Sequence, residues 1–317
     1  MAGNNLQERI ELARSLLPCD PDQITKSQLL QFTKNILLAY GYRPWRRKGQ
    51  HFLVNPEVLK FLLFNANLKS DEIILEIGGG IGTLSLFLAS KAKKLIIIEN
   101  DYHLIDVLSI LLSDFSNVVI LPGDACKIEW PPFDKLVSNL PYQISSPITM
   151  KLTREKFCEA IITYQLEFAQ RLLASAGDRE YSRISVQSSL YFKTKMLQKI
   201  GREAFFPSPK VTSAIVKITP RKNIPKIDLD VFERFLALLF SRKNKKVMNN
   251  LIPYFKRHGD YISHLVEKVL YLLTMQDKRP LRLFSHEILL LFNNLNTSFQ
   301  SHGISFPKIL QSYEEKF

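Results

Sequence analysis

The sequence predicts an α/β fold, in which a mainly parallel sheet is covered on both faces and a small all-helical C-terminal domain follows. Three observations predict it. Short apolar runs alternate with helix-spaced segments from residue 72 to residue 173, a pattern that implies right-handed crossovers between parallel strands. The first of these runs ends in a glycine cluster, Gly78-Gly79-Gly80-Ile81-Gly82. Beyond Pro220 and Pro225 the apolar residues keep helical spacing only.

Residues 1–40 place Ile10, Leu12, Leu16 and Leu17, then Leu29, Leu30, Phe32, Ile36 and Leu37, at helical spacing, which predicts two short helices broken between Pro18 and Pro21. A basic loop follows, with Arg43, Arg46, Arg47 and Lys48 around Trp45. Ile73–Ile77, Leu95–Ile98, Val118–Leu121, Lys135–Ser138 and Ala160–Tyr164 are expected as buried strands, with helices at Leu84–Ala92, Tyr102–Leu112 and up to Leu173. Two later strand candidates, 195–200 and 213–219, flank Pro207 and Pro209 and suit an antiparallel pair at the sheet edge. Four amphipathic helices are expected at Phe232–Phe240, Val247–Phe255, Ile262–Leu273 and His286–Phe292. The expected organisation is a helical extension (1–40), an α/β domain (41–222), a helical domain (223–295) and an irregular polar tail (296–317).

The net charge of +13, from 43 Lys and Arg against 30 Asp and Glu, favours a polyanionic partner, because each neutralised phosphate releases counterions. Cys19, Cys126 and Cys158 have neither CxxC spacing nor a paired histidine, so no metal site and no disulfide framework is expected. With no signal-like N-terminus and no apolar run of roughly 18 residues, the expectation is a cytoplasmic protein that does not enter membranes. A monomer is expected.

The candidate chemistry lies at the strand ends. Glycines at the first strand-to-helix turn, Gly78 and Gly80 among them, let the backbone approach a ligand. Glu99 ends the second strand, where a carboxylate suits the two hydroxyls of an adenosine ribose; this fits NAD as well as S-adenosylmethionine. Asp124 closes the third strand at the same sheet edge. Asn139-Leu140-Pro141-Tyr142 follows the fourth. Asn139 offers an acceptor, Pro141 stiffens the loop, and Tyr142 offers a flat face to a base. Acceptors on both N–H bonds of a planar amine, such as that of adenine, would hold it while its nitrogen attacks a methyl donor.

Here the sequence becomes specific. Gly49-Gln50-His51-Phe52-Leu53, Glu76–Gly82, Asn139–Tyr142, Tyr181–Val186 and Phe205-Phe206-Pro207-Ser208-Pro209-Lys210-Val211 resemble, in order, the signature blocks of the ribosomal RNA adenine dimethyltransferase family. The flank Asp134–Ser138 is most similar to its archaeal branch. The resemblance covers about residues 43–295. It implies a class I methyltransferase Rossmann-like domain and an S-adenosylmethionine site formed by His51, Leu53, Gly78, Gly80, Glu99, Asp124 and Asn139. It also implies catalytic residues Asn139, Leu140, Pro141 and Tyr142, with an adenine slot between Tyr142 and Phe205. The implied reaction is dimethylation of two adjacent adenines in a small-subunit rRNA hairpin, on the immature small ribosomal subunit, during ribosome biogenesis. Residues 223–295 would bind RNA, and Arg242-Lys243-Asn244-Lys245-Lys246 together with the basic loop are candidate phosphate contacts.

The sequence departs from the family at Ala174-Ser175-Ala176-Gly177, where a Lys-Pro-Gly turn is usual, and in its long N-terminal extension. Two other functions are compatible with the same fold: a large-subunit methyltransferase of the antibiotic-resistance type, which usually carries Ile in place of Leu140, and a non-catalytic RNA-binding assembly factor. A small-molecule dehydrogenase would share the glycine turn but leaves Asn139–Tyr142 unexplained.

Overall fold

Helical spacing in the N-terminal extension does yield two helices, α1 (Ala2–Arg14) and α2 (Lys26–Ala39). Thr25 starts the second through a capping box, its hydroxyl accepting from Gln28 N while Gln28 Oε1 accepts from Thr25 N. The computed structural model describes residues 2–17, 21–41, 50–311 and 313; Cys19, the basic loop with Arg43, Arg46, Arg47 and Lys48, and Gly49 lie outside the described residues.

After β1 (Phe52–Leu53) the chain forms α3 (Pro56–Ala66), started by the Asn55 cap and a proline in its first turn. The alternating region gives β2 (Ile73–Ile77), α4 (Thr83–Ala89), β3 (Lys94–Glu99), α5 (Tyr102–Leu111), β4 (Val118–Pro122) and β5 (Lys135–Ser138). It continues with α6 (Ser145–Leu152), β6 (Glu159–Gln165), α7 (Leu166–Leu173), α8 (Arg183–Tyr191), β7 (Phe192–Ile200), β8 (Phe205–Phe206) and β9 (Ser213–Pro220). Seven strands form one sheet in the order β4-β3-β2-β5-β6-β9-β7. Its β4 to β6 portion is parallel, and β9 runs antiparallel to β6. The order reverses between β2 and β5, so the loops after β2, β3, β4 and β5 meet beyond the carboxyl edge, where such sheets bind ligands.

The remaining helices are α9 (Leu229–Leu239), α10 (Val247–Lys256), α11 (Asp260–Leu272), α12 (Ser285–Ser301) and α13 (Phe306–Gln311). None of the described helices is long and apolar enough to cross a membrane.

Contacts divide the chain into two units, one of Met1–Ala169 with Thr194–Pro220, the other of Gln170–Lys193 with Arg221–Phe317. Two differences from the sequence-based organisation follow. First, the extension is no separate layer: Ile10, Ala13, Leu29, Phe32 and Ile36 are fully buried in the same core cluster as Leu104 and Leu108 of α5. Second, residues 170–193 belong with the C-terminal helices, because Tyr181 and Val186 are buried among Phe232, Phe235 and Leu291.

The irregular tail is also corrected. Helix α12 continues to Ser301 and α13 follows it, because Phe299, Phe306 and Leu310 are fully buried. The rings of Phe299 and Phe306 stack at 5.2 Å, and Phe306 lies 6.2 Å from Phe255. Three widely spaced apolar residues in a polar segment suffice to anchor it.

Candidate active site

The strand-end loops of the first unit enclose a cavity of about 290 Å³. His51, Leu53, Gly78, Gly80, Glu99, Asp124, Asn139, Leu140, Pro141 and Tyr142 all line it. Residues separated by up to about ninety positions are therefore brought together.

The glycine loop is shaped from inside. Gly78, Gly80 and Gly82 adopt positive φ of 77°, 59° and 81°. Gly78 N donates to Ile98 O at 2.8 Å, and Gly80 N donates to Glu99 Oε2 at 3.0 Å. Glu99 Oε1 accepts from Asn100 N and Asp101 N at 2.9 and 3.0 Å. Burial pushes the Glu99 carboxyl upward, and these three N–H bonds pull it back toward the ionised form. Asp124 uses Oδ1 to accept from Cys126 N at 2.9 Å, which holds the turn after β4.

At the other end of the cavity, β1 pairs with β8, Phe52 opposite Phe206 and Leu53 opposite Phe205. That two-residue ladder places His51 beside Pro207, and its Nδ1–H donates to Pro207 O at 2.7 Å. The His51 ring stacks on Tyr142 at 5.8 Å with a 30° interplanar angle. Asn139 Nδ2 donates to His51 O at 3.1 Å, which fixes the amide orientation and leaves Oδ1 without a hydrogen bond among the described residues. Pro141 O accepts from Ile144 N at 3.1 Å, whereas Leu140 O takes no such bond among them. The Tyr142 hydroxyl and Ser213 Oγ are 2.5 Å apart, and burial raises the phenol above its ordinary range, so it stays neutral.

Phe205 departs from the expectation of a slot wall. Its ring is 3% exposed, packed in the core, and does not line the cavity. Side chains alternate along a strand, so Phe206 takes the more open side, with Lys34 Nζ of α2 lying 5.9 Å from its ring centroid.

Sequence reasoning missed three participants. Gln50 lines the cavity and donates to Asp101 at 3.3 Å. Thr83 lines it too, buried to 5% exposure, and its Oγ1 has no hydrogen-bond partner among the described residues. A polar residue directly after the last glycine of the loop was the available signal. Glu76 is the third. Burial first, and then the Glu99 charge, push its carboxyl up to about 8 against the hydrogen bond from Ser85 Oγ, 2.6 Å from Oε2.

A folded pKa above the unfolded value means that Glu76 adds nothing unfavourable below its unfolded pKa of 4.5 and costs stability as pH rises toward about 8. Glu76→Gln keeps an acceptor for Ser85 without the titration. Its unfolding free energy should match that of the native chain near pH 5 and exceed it by a widening margin up to pH 8, on the order of a few kcal/mol. Calorimetric melts across that range check this; a constant difference would exclude a buried ionisation.

The family model described as ribosomal RNA adenine dimethylase matches residues 45–289. A protein of Pyrococcus abyssi named "Probable ribosomal RNA small subunit methyltransferase A" is 40% identical over 253 residues, 80% of this chain and 92% of its own length. One of Methanosphaera stadtmanae with the same name is 45% identical over 222 residues, 69% and 81% respectively. Among solved structures, a dimethyladenosine transferase from Plasmodium falciparum is similar with a TM-score of 0.68 at 34% identity, covering 81% of this chain and 100% of its own. The 23S rRNA methyltransferase ErmE reaches a TM-score of 0.56 at 27% identity, covering 77% and 99%.

Proposed function

Because the chain belongs to the ribosomal RNA adenine dimethylase family and is an rRNA adenine methyltransferase, we propose that its first unit binds S-adenosylmethionine and dimethylates the N6 amines of two adjacent adenines in a small-subunit rRNA hairpin. Its substrate is the immature small ribosomal subunit, and it acts as a cytoplasmic monomer.

The donor set fits the cofactor. Glu99 offers a buried carboxylate at the ribose position, Thr83 Oγ1 is a hydroxyl without a partner among the described residues that a polar ligand would satisfy, and the glycines, lacking a Cβ, let the backbone line the cavity closely. His51, Leu53, Gly78, Gly80, Glu99, Asp124 and Asn139 would hold it. S-adenosylmethionine supplies an already activated sulfonium methyl, so the protein's task is placement.

One observation carries the reading: Asn139, tied to His51, presents Oδ1 next to the unused carbonyl of Leu140 in a loop stiffened by Pro141. Two acceptors then take the two N–H bonds of the adenine amine and orient its nitrogen lone pair toward the donor. Tyr142 stacks on the base from a ring already steadied by His51 and Ser213. Phe205 contributes from the core, holding the β1–β8 ladder that carries His51.

The basic cluster of the second unit is largely occupied. Arg242 donates to Asn249 O, Lys243 Nζ donates to Arg179 O at 2.7 Å, and Lys246 pairs with Asp277 at 2.5 Å. Lys245 is the member with no such partner among the described residues, and it is the better candidate for a phosphate contact.

The test is incubation with labelled S-adenosylmethionine and, in parallel reactions, immature small subunits or large-subunit rRNA, followed by mapping of modified bases. Two adjacent dimethyladenines are expected, and Glu99→Ala should weaken cofactor binding by about 1.5–3 kcal/mol. Label found only in large-subunit rRNA, or tight NAD binding in its place, would overturn the assignment.

A further inference from the structure

The second unit contains an open cleft of about 640 Å³ that the reaction does not use. Its lining comes entirely from residues 174–190, 221–225 and 284–289, and includes no Asp or Glu. Three features of its chemistry stand out together. Phe284, 54% exposed, stacks on His286 at 5.7 Å with an interplanar angle of 12°. A large apolar ring held parallel to another and left half in water offers a flat face for stacking.

Arg221 is the second feature. Its backbone N–H donates to Tyr191 O at 2.8 Å and its Nε to Phe192 O at 3.0 Å, so the guanidinium is oriented, while its terminal nitrogens have no partner among the described residues. A guanidinium fixed at Nε presents its outer fork ready for two phosphate oxygens. The third feature is the turn at Ala174-Ser175-Ala176, which lines the cleft with small side chains. This is the position where the sequence departs from the Lys-Pro-Gly turn.

We propose that this cleft is a second RNA site, which takes one unpaired nucleotide of the rRNA substrate away from the target adenines. The base stacks on Phe284, its phosphate is bound by Arg221, and Ser175, which also lines the cleft, is the candidate ribose contact. The absence of acidic lining and the free guanidinium fit a polyanion rather than a basic or apolar peptide. This proposal rests on the rRNA methyltransferase reading.

The experiment uses the full chain with immature small subunits and labelled S-adenosylmethionine. Phe284→Ala and Arg221→Ala should each raise KM for the subunit roughly fivefold or more, the scale of losing one stacked base or one phosphate contact. Turnover at saturating subunit and cofactor affinity should stay within about twofold of the native chain. Ser175→Trp, which fills the cleft from the turn and spares both residues, should raise KM likewise. Ultraviolet crosslinking should place one unpaired rRNA nucleotide on the peptide containing Phe284. Methylation with unchanged KM in all three variants, or crosslinks that avoid this peptide, overturns the cleft proposal alone. A native chain that methylates no rRNA overturns the enzymatic reading instead.

Discussion

Asn139→Ala should lower turnover by about 10²–10³-fold, the scale of losing one preorganised polar contact to the reacting group. The KM for RNA should change by no more than about threefold, because stacking and phosphate contacts are untouched. The asymmetry follows from the geometry. The Asn139 amide is held by His51 O at 3.1 Å and its free oxygen acts on the amine as the nitrogen rehybridises, so the interaction strengthens in the transition state. Single-turnover methylation at saturating RNA isolates this step. Near-native turnover would remove Asn139 from the chemistry and leave the family loop as a binding element only.

Gly78→Val should damage stability as well as activity, with activity falling about 100-fold or more and stability by about 1–3 kcal/mol. A Cβ at Gly78 would sit 2.8 Å from Pro141 Cδ and 3.1 Å from Cγ, on a backbone with φ of 77°. The cost is therefore double: left-handed strain for a β-branched residue, and displacement of the loop that carries Asn139 and Tyr142. Gly303→Ala separates the two effects, since Gly303 has φ of 68° but nothing within 4 Å of the added carbon. It should lose stability and keep its activity. Thermal melts beside methylation assays read both quantities; a fully active Gly78→Val would mean that the glycine loop and the Asn139 loop do not need their present contact.

What the sequence made legible was local. Ile73–Ile77 and Leu95–Ile98 read as strands because a parallel strand buried on both faces is a continuous apolar run. The glycine turn and the Asn139 loop stand at strand ends, so their convergence follows from topology. What was not legible depends on pairings remote in sequence. A ladder of two residues per strand joins Phe52-Leu53 to Phe205-Phe206 and carries no periodic signal, yet it seats His51 between Asn139 and Pro207. It also turns Phe205 into the core, where the family resemblance implied a slot wall. Residues 170–193 follow the same logic, since a segment's allegiance is decided by partners such as Phe232 and Leu291 that come later in the chain. The basic run at 242–246 reads in sequence as a set of candidate phosphate contacts, yet Lys243 ties down the carbonyl of Arg179.

Helix α2 packs on α1 and shares its buried core with residues of α5, and Tyr40 Oη donates to Asp106 at 2.7 Å just beyond the helix end. During synthesis, Leu29, Phe32, Ile36 and Leu37 are made before α5, which ends roughly seventy residues later. At ribosomal speeds of about 5–20 residues per second, that apolar stripe waits roughly 4–14 s for its partner. For those seconds the nascent helix is a natural client for a holding chaperone, and a ribosome stalled in that window presents a sticky amphipathic peptide.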